Sequence, residues 1–136
     1  MELKLAQAER MIKAAKEKAR ELGLRMSIVV ADSTGIIVAA ARMDRARKFG
    51  PRIAHGKALA TVAFSRPSAE TAAIAKERPQ ILEAFNDIMG GALFPAEGAL
   101  PIIIDGQLVG AIGASGATSP EDLLCAQAGL DAIAKA

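Results

Sequence analysis

The chain opens with an amphipathic helical pattern. Gly23 closes this segment and is a residue type that commonly ends helices in the left-handed conformation. A helix of 3.6 residues per turn gathers apolar positions spaced three or four apart on one face. The pattern therefore predicts a helix from about Leu5 to Gly23. Its apolar face is formed by Leu5, Ala8, Ile12, Ala15, Ala19 and Leu22, with lysine and glutamate between them.

Two pairs of short aliphatic runs predict two β-hairpins. Ser27–Ala31 and Ile36–Ala40 flank the turn-forming residues Asp32–Gly35. Leu100–Ile104 and Leu108–Ile112 flank Asp105-Gly106, a dipeptide suited to a tight turn with positive φ.

Helical segments are predicted between the two hairpins. Gly50-Pro51 begins a second helix that continues to about Phe64, and the segment 66–68 interrupts it. Ser68 can cap a short third helix. Pro79 separates this region from a further turn or two of helix that ends at Gly90-Gly91.

The C-terminal helix has a well-marked start, and it completes the predicted fold. Ser119-Pro120 supplies an N-cap and a proline at the first helical position, followed by an acidic first turn. The element order is then α-β-β-α-α-β-β-α within one domain, residues 1–136. Two hairpins separated by helices predict an α+β fold, with an antiparallel sheet of about five strands covered by helices on one face. A doubly wound parallel sheet would need strands that alternate with helices.

Composition narrows the classes of function. Hydrophobic residues make up 51% of the 136 residues but aromatic residues only 3%, so the core is aliphatic and base stacking on aromatic side chains is not expected. Nucleic acid is therefore not a predicted partner. The single cysteine, Cys125, excludes an intrachain disulfide and any CxxC site, and we interpret it as a small apolar core residue. We expect no signal peptide, no membrane span and a cytoplasmic protein, because residues 1–4 lack an apolar core and no apolar run reaches about 18 residues.

The two halves of the chain carry opposite charge. Residues 1–78 contain 16 Lys and Arg against 8 Asp and Glu, whereas residues 79–136 contain 1 against 7. Such halves can pack against each other or meet across a subunit contact, which is consistent with a homo-oligomer. Much of the positive charge of the first half lies in residues 42–57, which include Arg42 and Lys57. This stretch has two interpretations: a clamp for an anionic ligand, or a solvated face that pairs with the acidic half.

Several motifs together resemble the GlcG/HbpS family of small haem-binding or haem-degrading-like proteins, and the C-terminal domain of PduO-type corrinoid proteins. The resemblance covers nearly the whole chain and implies a profilin- or PAS-like sheet with flanking helices, assembled as dimers or larger rings. It implies no single activity, because members are described variously as haem binders, cofactor-associated proteins and catabolic accessories. The matching pieces are residues 29–32 with Gly35, Arg42-Met43-Asp44, Lys57-Ala58 with Thr61, Gly98 to Pro101, Asp105-Gly106, and residues 110–116 with Asp122 and Ala126.

The resemblance points to candidate ligand-binding residues, namely Arg42, Lys57, Thr61, Gly98 and Ser115. His55, the only histidine, is added because imidazole nitrogen binds haem iron well. The alternative for His55 is a half-buried helix residue hydrogen-bonded to a neighbour.

The glycines at 110, 113 and 116 also allow two interpretations. Their spacing before Ser119 is similar to a phosphate-binding loop, yet it matches neither common glycine-rich motif, and Glu121 and Asp122 would repel an anion there. The alternative is close packing of strand and helix backbones.

Two hypotheses for the function follow. The first is a small-molecule-binding protein whose ligand is anionic, with haem or another tetrapyrrole as the named candidate. The second is a cofactor-independent isomerase, lyase or hydratase acting on a small carboxylate. In that enzyme Arg42 or Lys57 would hold the carboxylate and Glu97 would move a proton as a general base. The alternative interpretation of Glu97, and the one that its loop setting favours, is an ordinary exposed loop carboxylate. The sequence contains no metal-ligand cluster or cofactor motif.

Overall fold

A computed structural model describes residues 1–134 of the chain. It has five helices and four strands within that range. The predicted class, an antiparallel sheet with packed helices, is confirmed. The elements in chain order are α1 (Leu5–Glu21), β1 (Ser27–Asp32), β2 (Ile37–Arg42), α2 (Gly50–Phe64), α3 (Ser68–Glu77), α4 (Pro79–Ile88), β3 (Ala99–Ile104), β4 (Gln107–Ser115) and α5 (Ser119–Ala134).

The sheet is fully antiparallel in the order β2-β1-β4-β3. The prediction of about five strands is wrong, because each hairpin contributes only two strands. The turn Asp105-Gly106 is confirmed: both residues have positive φ, as the tightest hairpin turns require. The structure also differs from the prediction after Pro79. The predicted turn or two of helix is a separate ten-residue helix, α4.

Helices cover both faces of the sheet rather than one. Ile28 and Val30 of β1 face the larger core, which is filled from α1 and α5, whereas Ala31 packs with Ala58 and Val62 of α2. β1 is therefore buried on both sides, as its continuous apolar run allows. The one-sided prediction was wrong because a run without alternation cannot define a single apolar face.

Glycines in β4 let neighbouring backbones approach closely, one in helix α2 and one in the adjacent strand β1. A Cβ on Gly113 would collide with the Ala54 carbonyl oxygen of α2, and a Cβ on Gly110 would collide with the Ala31 carbonyl oxygen of β1. Neither has positive φ, so the requirement is space rather than backbone freedom. The packing interpretation of these glycines accounts for both positions.

Ser68 has a different role from the predicted helix cap. Its hydroxyl makes no cap hydrogen bond; instead it accepts a hydrogen bond from the Ala99 backbone N–H, at 2.9 Å. This contact ties the start of α3 to the start of β3. The hydroxyl is fully buried, which explains why it bonds to a neighbouring element.

Candidate functional site

A buried ion pair joins α2 to α5 beneath the end of β4. Lys57 Nζ lies 2.9 Å from Asp122 Oδ2 and donates a second hydrogen bond, 3.0 Å long, to the Ala114 carbonyl oxygen. Both residues are 3% exposed. Asp122 Oδ1 accepts a hydrogen bond from the Ala117 backbone N–H at 2.9 Å. The Lys57 ammonium is neutralised by Asp122 and donates two hydrogen bonds inside the protein. This side chain of α2 is therefore linked to both β4 and α5.

Gly98 lies directly against this ion pair. Its φ of +135° is accessible mainly to glycine, and a Cβ there would sit 2.6 Å from Lys57 Nζ. Its carbonyl oxygen accepts the Ala114 N–H at 2.9 Å. The structure thus brings Lys57 and Gly98 together.

Thr61 and Ser115 lie near the same pair but are closed to solvent. Thr61 is one helical turn beyond Lys57 and fully buried, and its hydroxyl has no hydrogen-bond partner among residues 1–134. Ser115 follows Ala114 in β4 and is 7% exposed. A ligand could reach either hydroxyl only if the loop around Gly98 moved.

Glu97 and Arg42 are far apart. Arg42 is paired with Ser27 and Ser27 with Ser115, whereas Glu97 lies two residues before Ala99, the first residue of β3 on the far side of β4. Three strand spacings, about 14 Å in all, separate β2 from β3. Glu97 is half-buried next to Gly98, and the Lys57 ammonium that lies against Gly98 is paired with Asp122. Arg42 is therefore not beside Glu97, and the role of Glu97 as a general base stays a prediction.

His55 contacts the first hairpin from the outer side of α2. Its Nε2 lies 2.8 Å from the Gly35 carbonyl oxygen. A carbonyl oxygen only accepts, so Nε2 carries a proton and donates in this hydrogen bond. His55 is half-buried. This geometry corresponds to the alternative of a helix histidine bonded to a neighbour, and it leaves one ring nitrogen able to bind a metal.

Arg42 belongs to a basic surface pocket at the end of β2. The pocket has a volume of about 340 Å³. The cations on its wall come from α1, from the loop before β1 and from β2. Its lining residues are Lys16, Arg20, Arg25, Ala41, Arg42, Met43 and Asp44.

Three titratable groups have displaced pKa values for identifiable reasons. Burial raises the pKa of the Cys125 thiol to about 11, with the Asp122 charge adding to the effect, so the thiol is protonated at neutral pH. Burial also acts to raise the pKa of Asp32, but hydrogen bonds from Thr34, Ile36 and Gly35 outweigh it and leave that pKa below its ordinary value. A hydrogen bond from the Thr118 hydroxyl lowers the pKa of Glu121.

Sequence reasoning missed Asp122 and the additional arginines. Asp122 was assigned to helix capping, although a lone lysine amid small apolar residues of α2 was a signal that a buried counter-charge was needed. Arg20 and Arg25 carried no sequence signal, because they meet Arg42 only after α1 packs beside β2. Among residues 1–134 no group of three or more His, Cys, Asp or Glu could hold a metal ion. No helix in the same range is long and apolar enough to cross a bilayer.

Comparison with known proteins shows an extended similarity. Residues 3–131 match the family described as "Haem degrading protein HbpS-like". Escherichia coli K12 protein GlcG is 33% identical over 108 residues, which cover 79% of this chain and 77% of GlcG.

Two solved structures share the fold. A double mutant of Streptomyces reticuli HbpS superposes with a TM-score of 0.85 at 30% identity, covering 96% of this chain and 86% of HbpS. The structure described as a PduOC–haem complex also gives a TM-score of 0.85, at 24% identity, covering 97% of this chain and 95% of PduOC.

Proposed function

The chain belongs to the family of HbpS-like haem-degrading proteins, and we propose that it binds haem or another tetrapyrrole. The match to the family over residues 3–131 supports this proposal. It spans nearly all the described residues, including the sheet and the helices on both of its faces. The PduOC structure, whose fold this chain shares, contains haem.

The charge distribution suits the acid groups of such a ligand. A tetrapyrrole carries carboxylates at the periphery of an apolar ring, and guanidinium groups bind carboxylates through paired hydrogen bonds. Arg42 is exposed in the basic pocket and free of the buried network around Lys57. We therefore propose Arg42 as a carboxylate-binding residue. Arg42 ends β2, whereas His55 contacts Gly35 before the other end of that strand, more than about 20 Å away along it, so Arg42 and His55 mark alternative sites for a tetrapyrrole within one chain. Lys57, Thr61, Gly98 and Ser115 stay predictions as ligand-binding residues, and any such role requires the loop around Gly98 to open.

The residues also bear on iron ligation. The chain has one histidine, no tyrosine and one cysteine, and Cys125 is buried with its thiol protonated. His55 is thus the imidazole available to a haem iron. Ligation through Nδ1 would preserve the hydrogen bond from Nε2 to Gly35, and that bond would orient the ring. Bound haem would supply a redox-active iron, and what this chain's residues would do is bind and orient it.

The test is a titration of the purified protein with hemin, followed by absorbance in the Soret region. We expect a saturable spectral shift. His55→Ala should change the Soret position and weaken hemin binding about tenfold, or 1.4 kcal/mol. The control ligand is iron-free protoporphyrin IX, which has no iron for His55 to ligate. It should bind equally well to the wild type and to His55→Ala. Absence of a saturable shift with both pigments would overturn the proposed function. A shift that His55→Ala leaves unchanged would remove His55 from the site.

A further inference from the structure

A groove runs between α1 and the edge strand β2, and it joins two surface pockets. The first is the basic pocket described above, and the second, of about 260 Å³, continues it along α1. The two share Lys16 and Ala41 in their walls. We propose that this groove binds amphipathic carboxylates, with the acid group at the basic end and the apolar body along α1 and β2.

The basic end has cations that converge from different elements. Lys16 and Arg20 lie four residues apart on one side of α1, while Arg25 and Arg42 approach from a loop and a strand. Within residues 1–134 none of the four lies within 4.0 Å of a carboxylate. Asp44 is the one acidic residue in this wall, so the pocket has a large excess of positive charge. Anions of small size are therefore attracted and held there.

The basic pocket contains more cations than stabilisation of the α1 helix dipole would require. Basic residues in a last helical turn stabilise the helix dipole, and Lys18 and Arg20 occupy that turn. Arg25 and Arg42 lie outside any such position. Three guanidinium groups around one cavity match the fork geometry that carboxylates accept.

The other end of the groove is apolar. Leu5 is 56% exposed although it lies on the apolar side of α1, and Ile12 and residues 39–41 continue the surface. Glu9 and Lys13 stand at its rim with opposite charges. The volume of the basic pocket, about 340 Å³, is within the range that accommodates small ligands, and the second pocket extends the space along α1. An occupant with one charged end and one apolar end matches both halves.

This inference rests on the proposed function for one point only: a tetrapyrrole in the groove would place its acid groups at Arg20, Arg25 and Arg42, and its iron would then not be ligated by His55 of the same chain. It also extends to amphipathic carboxylates that contain no tetrapyrrole. Laurate is a suitable probe, with dodecanol as its uncharged counterpart.

The experiment measures binding of laurate and of hemin by calorimetry to wild type, Arg20→Gln, Arg25→Gln and Leu5→Glu. Arg10→Gln is the control, since Arg10 is exposed on α1 outside the groove. We expect each groove variant to weaken laurate binding about tenfold, the control to equal wild type, and dodecanol to bind far more weakly. Leu5→Glu should leave the melting temperature unchanged, because an acidic residue suits the first turn of a helix.

The outcomes separate the two proposals. Laurate binding that depends on Arg20 and Arg25, without any hemin or protoporphyrin binding, supports the groove and overturns the tetrapyrrole function. Hemin binding with laurate affinity equal in all variants, or equal affinity for dodecanol and laurate, overturns the groove and leaves the function standing.

Discussion

Lys57 and Asp122 form a buried ion pair in which each charge depends on the other. Removing one partner of a buried ion pair leaves an uncompensated charge in the interior. We predict that Lys57→Met lowers the free energy of unfolding by about 3 kcal/mol or more in urea denaturation. Adding Asp122→Asn to that variant should recover part of the loss, since the unpaired charge is removed while Oδ1 can still accept from Ala117. The control, Lys76→Met on exposed α3, should change stability by less than about 0.5 kcal/mol.

Asp32 makes stability depend on pH at the first hairpin. Its Oδ1 accepts hydrogen bonds from Thr34 N, Thr34 Oγ1 and Ile36 N at 2.8, 2.7 and 3.1 Å. Since folding lowers the pKa of Asp32 below its ordinary 3.8, the stabilisation is full above that value and is lost as pH falls through the folded pKa.

We predict that Asp32→Ala costs about 1 kcal/mol at pH 7, because this exposed turn loses hydrogen bonds to a charged acceptor. The cost should shrink below about pH 3.8. Urea denaturation at pH 7 and pH 3 measures both values. Equal costs at the two pH values would contradict the argument, and Asp87→Ala on α4 is the control.

At the scale of elements, the spacing between α2 and β4 depends on Gly113. An alanine there would push its Cβ into the Ala54 carbonyl oxygen, a backbone atom that can move only with its helix. We predict that Gly113→Ala lowers the free energy of unfolding by about 3 kcal/mol, at the upper end of the cost of overpacking. Gly91→Ala is the comparison: space is open around it, so only the strain of its positive φ remains, about 1 kcal/mol. Calorimetric melting of both variants measures the loss in free energy of unfolding. A loss for Gly113→Ala no larger than that for Gly91→Ala would refute the packing role of Gly113.

The hairpins and the first helix were predictable element by element, because their signals are local. Gly23 ends α1 with φ of +71°, and Asp105-Gly106 reverses the chain between β3 and β4. α4 was underestimated: the turn or two of helix predicted after Pro79 is a ten-residue helix with no fully buried side chain, and Phe85 on it packs against Phe64 of α2 with 4.3 Å between the ring centroids.

At the scale of the whole molecule, α4 is the surface that we propose a second copy covers. Ile81 and Ile88 on this helix are 45% and 80% exposed. The halves 1–78 and 79–136 carry net charges of +8 and −6 from the counts given above, so a basic half of one copy can meet the acidic half of another. Large exposed apolar groups on one helix are typical of subunit contacts.

We predict that the protein is a homo-oligomer and that Ile88→Glu reduces its mass in light scattering after size-exclusion chromatography. Ile103→Glu, the same substitution at an exposed position of β3, should leave the mass unchanged. A monomeric wild type would refute the assembly, and an Ile88→Glu variant of unchanged mass would move the contact away from α4.

The sequence by itself determined most of the elements and the fold class, since periodicity and turn dipeptides act over a few neighbouring residues. It also carried the resemblance to the family that matches residues 3–131. Only the tertiary structure decided which candidates meet: Lys57 and Asp122 are 65 residues apart in the chain, and Arg20, Arg25 and Arg42 come from three separate segments. Those contacts depend on how helices pack on both faces of the sheet, and that packing is set by the shapes of surfaces that no local pattern records.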